Sequence, residues 1–388
     1  MRDIVIVDAV RTPVGKYKGS LRDVRADHLS AILLRELLTR NGIEASSIDD
    51  VVFGCVTQVG EQSANIARTA LLGAGFPESI PGITVDRKCG SSETAVHVAV
   101  GEIAAGACDV VIAGGAENMT RVKMGGNREI YGEAFGWKLA ERFEMVSQGE
   151  AAERVADKWN ISRGEMDEFS LESHRRAAQA QDEGRFDREI VPVKIAQWKE
   201  KAGEVLPDLA KDETIRRETS LEKLSSLKPS FRPDGRVTAG NSSQISDGAS
   251  VVLLMSADAA KRLGLKPRAR IRAIATVGVD PTLMLTGPVA ATRRVLDRSG
   301  LSLSDIDLFE VNEAFASVPL MWMRETGVPH EKLNVNGGAV ALGHPLGASG
   351  ARIMSTLLNE LERRGARYGL QTICCAGGLG TATIIERL

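Results

Sequence analysis

Residues 83–115 read "ITVDRKCGSSETAVHVAVGEIAAGACDVVIAGG", and residues 333–378 read "LNVNGGAVALGHPLGASGARIMSTLLNELERRGARYGLQTICCAGG". Each stretch is a short strand, a turn of small residues, a helix, and an apolar strand that ends in Gly-Gly. In the second, Ile353, Leu357 and Leu361, with Met354 and Leu358, recur at helical spacing behind Ser349, which the pattern marks as an N-cap. The runs "DVVIAGG" and "LQTICCAGG" lack polar alternation, as befits sheet buried on both faces. A fainter echo links "GIEASSIDDVVFGC" from Gly42 with "GLSLSDIDLFEVNE" from Gly300: glycine, a Ser47 or Asp305 turn, Ile-Asp at Ile48, Asp49 and Ile306, Asp307, then an apolar strand. Repeats that alternate strand and helix predict a duplicated α/β fold with a mainly parallel sheet.

Between the repeats the composition changes. From Met119 to Gly248 the chain is charged and irregular, and "RVKMGGNREIYGEAFGWKLAERFEM" has no sustained period. "GEAAERVADKWNISRGEMDEFSLESHRRAAQAQDEGRF" reads as two or three polar helices, with Ser162 as an N-cap and Glu165 placed for a capping box. A long insertion in a compact fold is usually functional. The expected organisation is therefore an N-terminal half over 1–118 completed by 249–266, an inserted loop or lid region over 119–248, and a C-terminal half over 267–388.

The 388 residues, 43% hydrophobic, suffice for more than one core, and 49 basic against 51 acidic residues give no global attraction to nucleic acid or anionic membrane. Five cysteines without C-x-x-C spacing exclude a disulfide scaffold and a zinc site, and the thiols are expected to be reduced. The opening "MRDIVIVDAV" runs directly into a strand, leaving no room for a charged leader, and no apolar run approaches the ~20 residues of a membrane span. A cytoplasmic protein is expected.

Chemistry points to Cys89, which opens "CGSSETAVHVAV" between a strand and a helix. Amides and dipole at a helix N-terminus, with Arg87 and Lys88 beside them, predict a lowered thiol pKa. Cys55 and Cys108 lie in apolar runs and read as core. A nucleophilic thiol needs a base. His28, His97, His174 and His330 sit in helical or polar contexts, whereas His344 occupies in the second repeat the turn that Cys89 occupies in the first. If the repeats pack about a pseudo-two-fold axis, their helix N-termini converge and bring thiol and imidazole together. Asn312 and Glu313 follow the strand "IDLFEV", at the carboxyl end that faces ligand crevices in α/β folds.

Taken together, "CGSS" at Cys89, "TAGNSSQISDGAS" at 238–250, "NEAF" at 312–315, "NVNGGAVALGHPLGASG" at 334–350 and "CCAGGLGTA" at 374–382 strongly resemble the thiolases, in order and spacing, over essentially the whole chain. The resemblance implies βαβαβαββ halves stacked in α-β-α-β-α layers with an inserted loop domain. It implies reversible acyl transfer to and from coenzyme A by a ping-pong acyl-cysteine mechanism. Cys89 would be the nucleophile and His344 its base. Asn312, through a water, and His344 would form one oxyanion hole, and the amides of Cys89 and Ala376 the other. The family's C-terminal cysteine, its proton carrier, is followed by small residues at alternating positions. Counting from Cys374 gives Ala376, Gly378 and Gly380, whereas counting from Cys375 gives Gly377, Leu379 and Thr381, so Cys374 fits and Cys375 becomes a buried neighbour on the opposite strand face. Arg216, Phe231 and Ser243 match coenzyme A contacts. Acyl-CoA and coenzyme A would be substrates, with no cofactor and no metal, and the assembly a homodimer or dimer of dimers.

Three departures refine this. Many thiolases have Cys-x-Ser-Gly at the nucleophile, whereas Ser92 and Glu93 follow here. "EMVSQGEAAER" lacks the histidine of biosynthetic acetoacetyl-CoA enzymes, and Ala376 replaces the oxyanion glycine. With "EQSANIAR" and "SSQISDG" these place the chain nearer degradative 3-ketoacyl-CoA thiolases of fatty acid β-oxidation or steroid degradation. The alternatives are a biosynthetic acetoacetyl-CoA thiolase, a decarboxylating ketosynthase, which has no cysteine at the place of Cys374, and a non-catalytic CoA- or lipid-binding relative.

Overall fold

A computed structural model describes residues 2–128, 132–199 and 206–388. Its strands are β1 (Ile4–Arg11), β2 (Gly15–Lys16), β3 (Asp50–Gly54), β4 (Ile83–Val85), β5 (Val110–Asn118), β6 (Ser246–Ser256), β7 (Ala269–Gly278), β8 (Leu308–Val311), β9 (Tyr368–Cys375) and β10 (Leu379–Arg387). They run in the order β4-β3-β5-β6-β1-β7-β10-β9-β8, with β2 against β6. A bridge from Phe309 to Leu333 extends the β8 edge, so Leu333-β8-β9-β10-β7 mirrors β4-β3-β5-β6-β1. The halves meet where Val5 and Ile6 of β1 pair with Arg270 and Ala269 of β7.

The duplication is visible in individual hydrogen bonds. Asp49 accepts from the amides of Asp109 and Val110, at 2.7 and 2.9 Å, where β5 begins; Asp307 does the same for Arg367 and Tyr368, at 2.8 and 2.9 Å, where β9 begins. The Ile-Asp echo thus marks a carboxylate that ties adjacent strands. One expectation is corrected: the sheet is not mainly parallel. Only β3 with β4, β3 with β5 and β8 with β9 run parallel, and the remaining pairs are antiparallel. The reason is β6 and β10, which return beside β5 and β9 and are paired antiparallel on both sides.

Both sheet faces are buried, as the unbroken apolar runs require. In β6, Val251, Leu253 and Met255 face the outer core under the helices Ala26–Asn41 and Ile66–Gly73, while Val252 and Leu254 face a central core. That central layer holds the first core helix, Ser91–Ala105, and the second, Ser349–Arg364. The other outer core, under Gly287–Ser299 and Ser317–Thr326, covers the C-terminal half and includes Cys374.

In the segment between β5 and β6, Ser162 and Glu165 form the expected capping box at the start of Arg163–Asp182, which follows a first helix, Gln148–Lys158. This segment is anchored by buried charge. Arg11 of β1 donates to Glu189 at 2.7 Å and to both oxygens of Asp212 at 2.7 and 2.9 Å, all fully or nearly fully buried. Bidentate pairing of this kind fixes orientation as well as position.

Candidate functional site

Strand β4 ends two residues before a tight turn in which Lys88 adopts φ 51°, and Ser91 Oγ accepts from the Arg87 amide at 2.8 Å while donating to the Lys88 carbonyl at 2.6 Å. This turn delivers Cys89, only 4% exposed, to the N-terminus of the first core helix. The second core helix begins beside it: the Ala351 amide donates to Ser92 Oγ at 3.1 Å, and a Cβ on Gly350 would lie 2.3 Å from the Glu93 amide nitrogen. The two helix N-termini therefore converge, as the repeat implied, and only glycine fits between them.

His344 lies in the loop entering the second core helix. Glu117, at the end of β5, holds that loop to the N-terminal half by accepting from the Gly347 amide at 3.0 Å and from the Val56 and Thr57 amides at 2.9 and 3.0 Å. On the other side Glu313 accepts from Ser173, Asn334 and the Val340 amide. Sequence reasoning missed Glu117; its signal was a charged residue at the end of an otherwise apolar strand, the same signal that flagged Glu313.

The imidazole's tautomer follows from its neighbours. Ser349 Oγ donates to the Pro345 carbonyl at 2.9 Å, so it has only lone pairs for His344 Nδ1, 2.5 Å away. With the proton on Nδ1, Nε2 is the basic nitrogen and accepts from Asn312 Nδ2 at 3.4 Å. Ser349 thus orients the ring; the helix is instead capped at Ala348 without a side-chain bond, which corrects the N-cap expectation. Burial, reinforced by the Arg352 guanidinium, pushes the His344 pKa down to about 3, so the ring is neutral. Asn312 Oδ1 is buried without a hydrogen-bond partner.

The expectation of a lowered Cys89 pKa is also corrected. Burial pushes it up to about 12, against hydrogen bonds from the amides of Ala376 and Cys89 itself; the charge of Glu117 opposes that of Lys88. Lys88 is drawn toward Asp86, 2.5 Å away. Helix amides favour a thiolate locally, but they do not outweigh removal from water.

Cys374 and Cys375 point to opposite faces of β9. Cys374 belongs to the outer core of the C-terminal half, whereas Cys375 belongs to the small buried cluster that holds Cys89, Leu346 and Ile353, and a Cβ on Gly90 would lie 2.7 Å from its sulfur. Burial raises both thiols, and an ionised Cys89 would raise both further.

A cavity of about 720 Å³ brings together Cys89, His344, Arg216, Phe231 and Ser243. Phe231 stands edge-on to Phe315 with centroids 6.0 Å apart, and the Ser243 amide donates to the Ala314 carbonyl at 2.9 Å. Asn312 sits behind His344, and neither Cys374 nor Cys375 lines the cavity. Among the other histidines, His174 accepts from the Arg216 amide at 3.1 Å, His330 stacks on Phe169 and His97 pairs with Thr383, so each has a structural partner.

Glu93, unusual in the sequence, is fully buried beneath this site. Thr383 Oγ donates to it at 2.6 Å and Thr381 Oγ at 2.5 Å, so a helix of one half is tied to β10 of the other. Burial pushes its carboxyl from 4.5 to about 7, against the hydroxyls of Thr381 and Thr383 and the amide of Gln371. A carboxyl raised on folding leaves the native state holding a proton that the unfolded chain has lost, so it contributes a loss of stability that grows as pH rises from about 4.5 to about 7. The size is roughly 3 kcal/mol. Glu93→Gln keeps the shape without the ionisation. The difference in unfolding free energy, variant minus wild type, is expected to increase by that amount between those pH values in urea titrations; a flat difference would refute it.

Family comparison accounts for both halves of the chain. The thiolase N-terminal domain matches residues 4–258 and the thiolase C-terminal domain matches residues 265–387. A steroid 3-ketoacyl-CoA thiolase, FadA6, of Mycobacterium tuberculosis is 46% identical over 100% of this chain and 95% of its own. A 3-oxoadipyl-CoA/3-oxo-5,6-dehydrosuberyl-CoA thiolase of Escherichia coli is 47% identical over 100% of both. Among solved structures, the Bacillus anthracis acetyl-CoA acetyltransferase superposes with a TM-score of 0.91 at 41% identity, covering 100% of this chain and 99% of that one. The repeat that pairs Cys89 with His344 is thus a thiolase repeat, and the chain belongs to the thiolase family of acyl-CoA acetyltransferases.

Proposed function

We propose that this thiolase works in the degradative direction on 3-ketoacyl-CoA chains longer than acetoacetyl-CoA, with Cys89 as nucleophile, His344 as base and Cys374 as the second acid/base. The observation that carries the assignment is that Cys89 and His344 line one cavity, with Ser349 holding the ring at Nδ1 and Nε2 turned to Asn312.

Nε2 takes the Cys89 proton as the sulfur attacks C3 of the substrate. The alkoxide that forms meets the amides of Cys89 and Ala376, the two amides that oppose the burial of this thiol. Each such donor removes about 3 kcal/mol from a barrier. The C2–C3 bond then breaks and leaves acyl-Cys89 and the enolate of acetyl-CoA. The enolate oxygen is held by protonated His344 and by the water on Asn312, and Cys374 gives its proton to C2, releasing acetyl-CoA. Coenzyme A enters, loses its thiol proton to Cys374 and attacks acyl-Cys89. The shortened acyl-CoA leaves, and Cys89 takes its proton back from His344. The neutral resting pair suits this scheme, because negative charge is stabilised where it develops rather than in the free enzyme.

Arg216, Phe231 and Ser243 would hold coenzyme A along the larger cavity. The coarse length preference is tested by CoA-dependent thiolysis of acetoacetyl-CoA, a long-chain 3-ketoacyl-CoA and a bulky cyclic one. At least one of the larger substrates is expected to exceed acetoacetyl-CoA in kcat/KM by about tenfold, or roughly 1.4 kcal/mol; a preference for acetoacetyl-CoA would favour the biosynthetic reading. Among the described residues no helix is long and apolar enough to cross a membrane. We place the enzyme in the cytoplasm as a homodimer or dimer of dimers.

A further inference from the structure

Ser349, Arg352, Thr356 and Asn359 recur at helical spacing along one face of the second core helix, and all four are buried. Three of them have partners. Ser349 Oγ holds His344 Nδ1 at 2.5 Å, while Thr356 Oγ1 and Asn359 Nδ2 donate to Glu189 at 2.9 and 3.4 Å. Arg352 stands between them, only 2% exposed, and its Nε and Nη1 have no hydrogen-bond partner.

A buried guanidinium of this kind is costly, and the carboxylates around it do not relieve it by contact. Glu189 and Asp212 are engaged by Arg11, Glu360 by Arg363 at 2.7 and 2.8 Å, and Glu313 by Ser173, Asn334 and the Val340 amide. Glu310 lies two residues after Leu308 on β8 and so shares its central face. Burial pushes its carboxyl up to about 8, against the attraction of Arg352, so at neutral pH it is protonated. One guanidinium and two carboxylates at Arg11, Glu189 and Asp212 leave a negative charge in excess, which balances Arg352 from the far end of the stripe. The positive member therefore stands at the His344 end. Beyond burial, its charge is the one that acts on His344, whereas the charges acting on Cys89 are those of Glu117 and Lys88.

We infer that Arg352 is a positioning residue that acts through His344: it keeps Cys89 and His344 as a neutral thiol and imidazole until substrate arrives, and it makes the imidazolium formed in the reaction a stronger donor to the enolate oxygen. Without that like charge, thiolate and imidazolium are favoured in the resting enzyme and His344 donates more weakly.

This role rests on those given to Cys89 and His344 above. Arg352→Met fills similar space without charge, and Arg352→Gln removes the charge with a different fit. In both, alkylation of Cys89 by iodoacetamide at pH 7, located by peptide mass, is expected to be at least about tenfold faster than in the wild type, the least that a nearby charge gives. Over the same variants kcat for thiolysis of a long-chain 3-ketoacyl-CoA should fall by about tenfold, with KM little changed. The gain in alkylation should shrink as pH rises toward the range, near 12, in which the wild-type thiol ionises by itself. Arg352→Met should melt no lower than the wild type, because it removes an unpaired buried cation. A merely structural arginine would give slower alkylation, slower thiolysis and a lower Tm together. That pattern, unchanged alkylation, unchanged kcat, or loss of folding in both variants overturns the proposal. Thiolysis retained by Cys89→Ser would remove the roles of Cys89 and His344 along with it, whereas an inactive Cys89→Ser beside unchanged alkylation in the Arg352 variants removes only the role of Arg352.

Discussion

Cys89→Ser is expected to abolish the acyl-enzyme and to lower thiolysis by on the order of 10³-fold or more, with coenzyme A still bound. The reason lies in the site's energetics. Burial already raises the thiol to about 12, and the proton leaves only because His344 Nε2 and the amides of Cys89 and Ala376 are in place to receive proton and charge. A serine hydroxyl is a far weaker acid and meets the same burial. Intact-mass measurement after incubation with acetyl-CoA should show one added acetyl group on the wild type and none on the variant. Equilibrium binding of coenzyme A should be equal for the two, because the cavity walls formed by Arg216, Phe231 and Ser243 are untouched. Full thiolysis by the variant would remove Cys89 from the mechanism.

Cys374→Ala is expected to lower cleavage by ~10²–10⁴-fold, the usual worth of a positioned acid, while Cys375→Ala retains most of it. The two thiols lie on opposite faces of one strand, Cys374 toward the outer core of the C-terminal half and Cys375 toward Gly90 and the buried Glu93. The half-reactions separate them cleanly. Acetylation of Cys89 by acetyl-CoA needs no proton at C2 and uses Cys374 only to protonate the departing coenzyme A thiolate, a stable leaving group, so Cys374→Ala should still acetylate, at a reduced rate. Exchange of the acetyl-CoA methyl hydrogens in deuterated water does need one, and should disappear. The opposite pattern, with Cys375→Ala losing exchange, would show that the spacing of Ala376, Gly378 and Gly380 had selected the wrong sulfur.

Much of this arrangement was legible in the sequence because duplication writes the same instruction twice. The Ile-Asp echo marked carboxylates that tie β3 to β5 and β8 to β9, and the turns at Cys89 and His344 marked the helix starts that meet. What was not legible depended on partners distant in the chain. The antiparallel pairing comes from β6, which reaches β5 only after more than a hundred intervening residues have been placed. Ser349 carries the signature of an N-cap, and nothing local reveals that its hydroxyl is shared between His344 and Pro345 instead. The Cys89 thiol was misread because a helix N-terminus is a local feature, whereas the depth at which it is buried belongs to the whole fold.

The meeting of the two core helices, with Gly350 against the backbone of Glu93, brings two like-signed dipole ends to one point. Two positive poles repel, so the resting molecule holds an electrostatic tension that either half alone would lack. Any anion formed between them relaxes it. The duplicated architecture thus favours negative charge at the point where the two helix starts meet, which in the proposed mechanism is where the alkoxide on the Cys89 adduct forms.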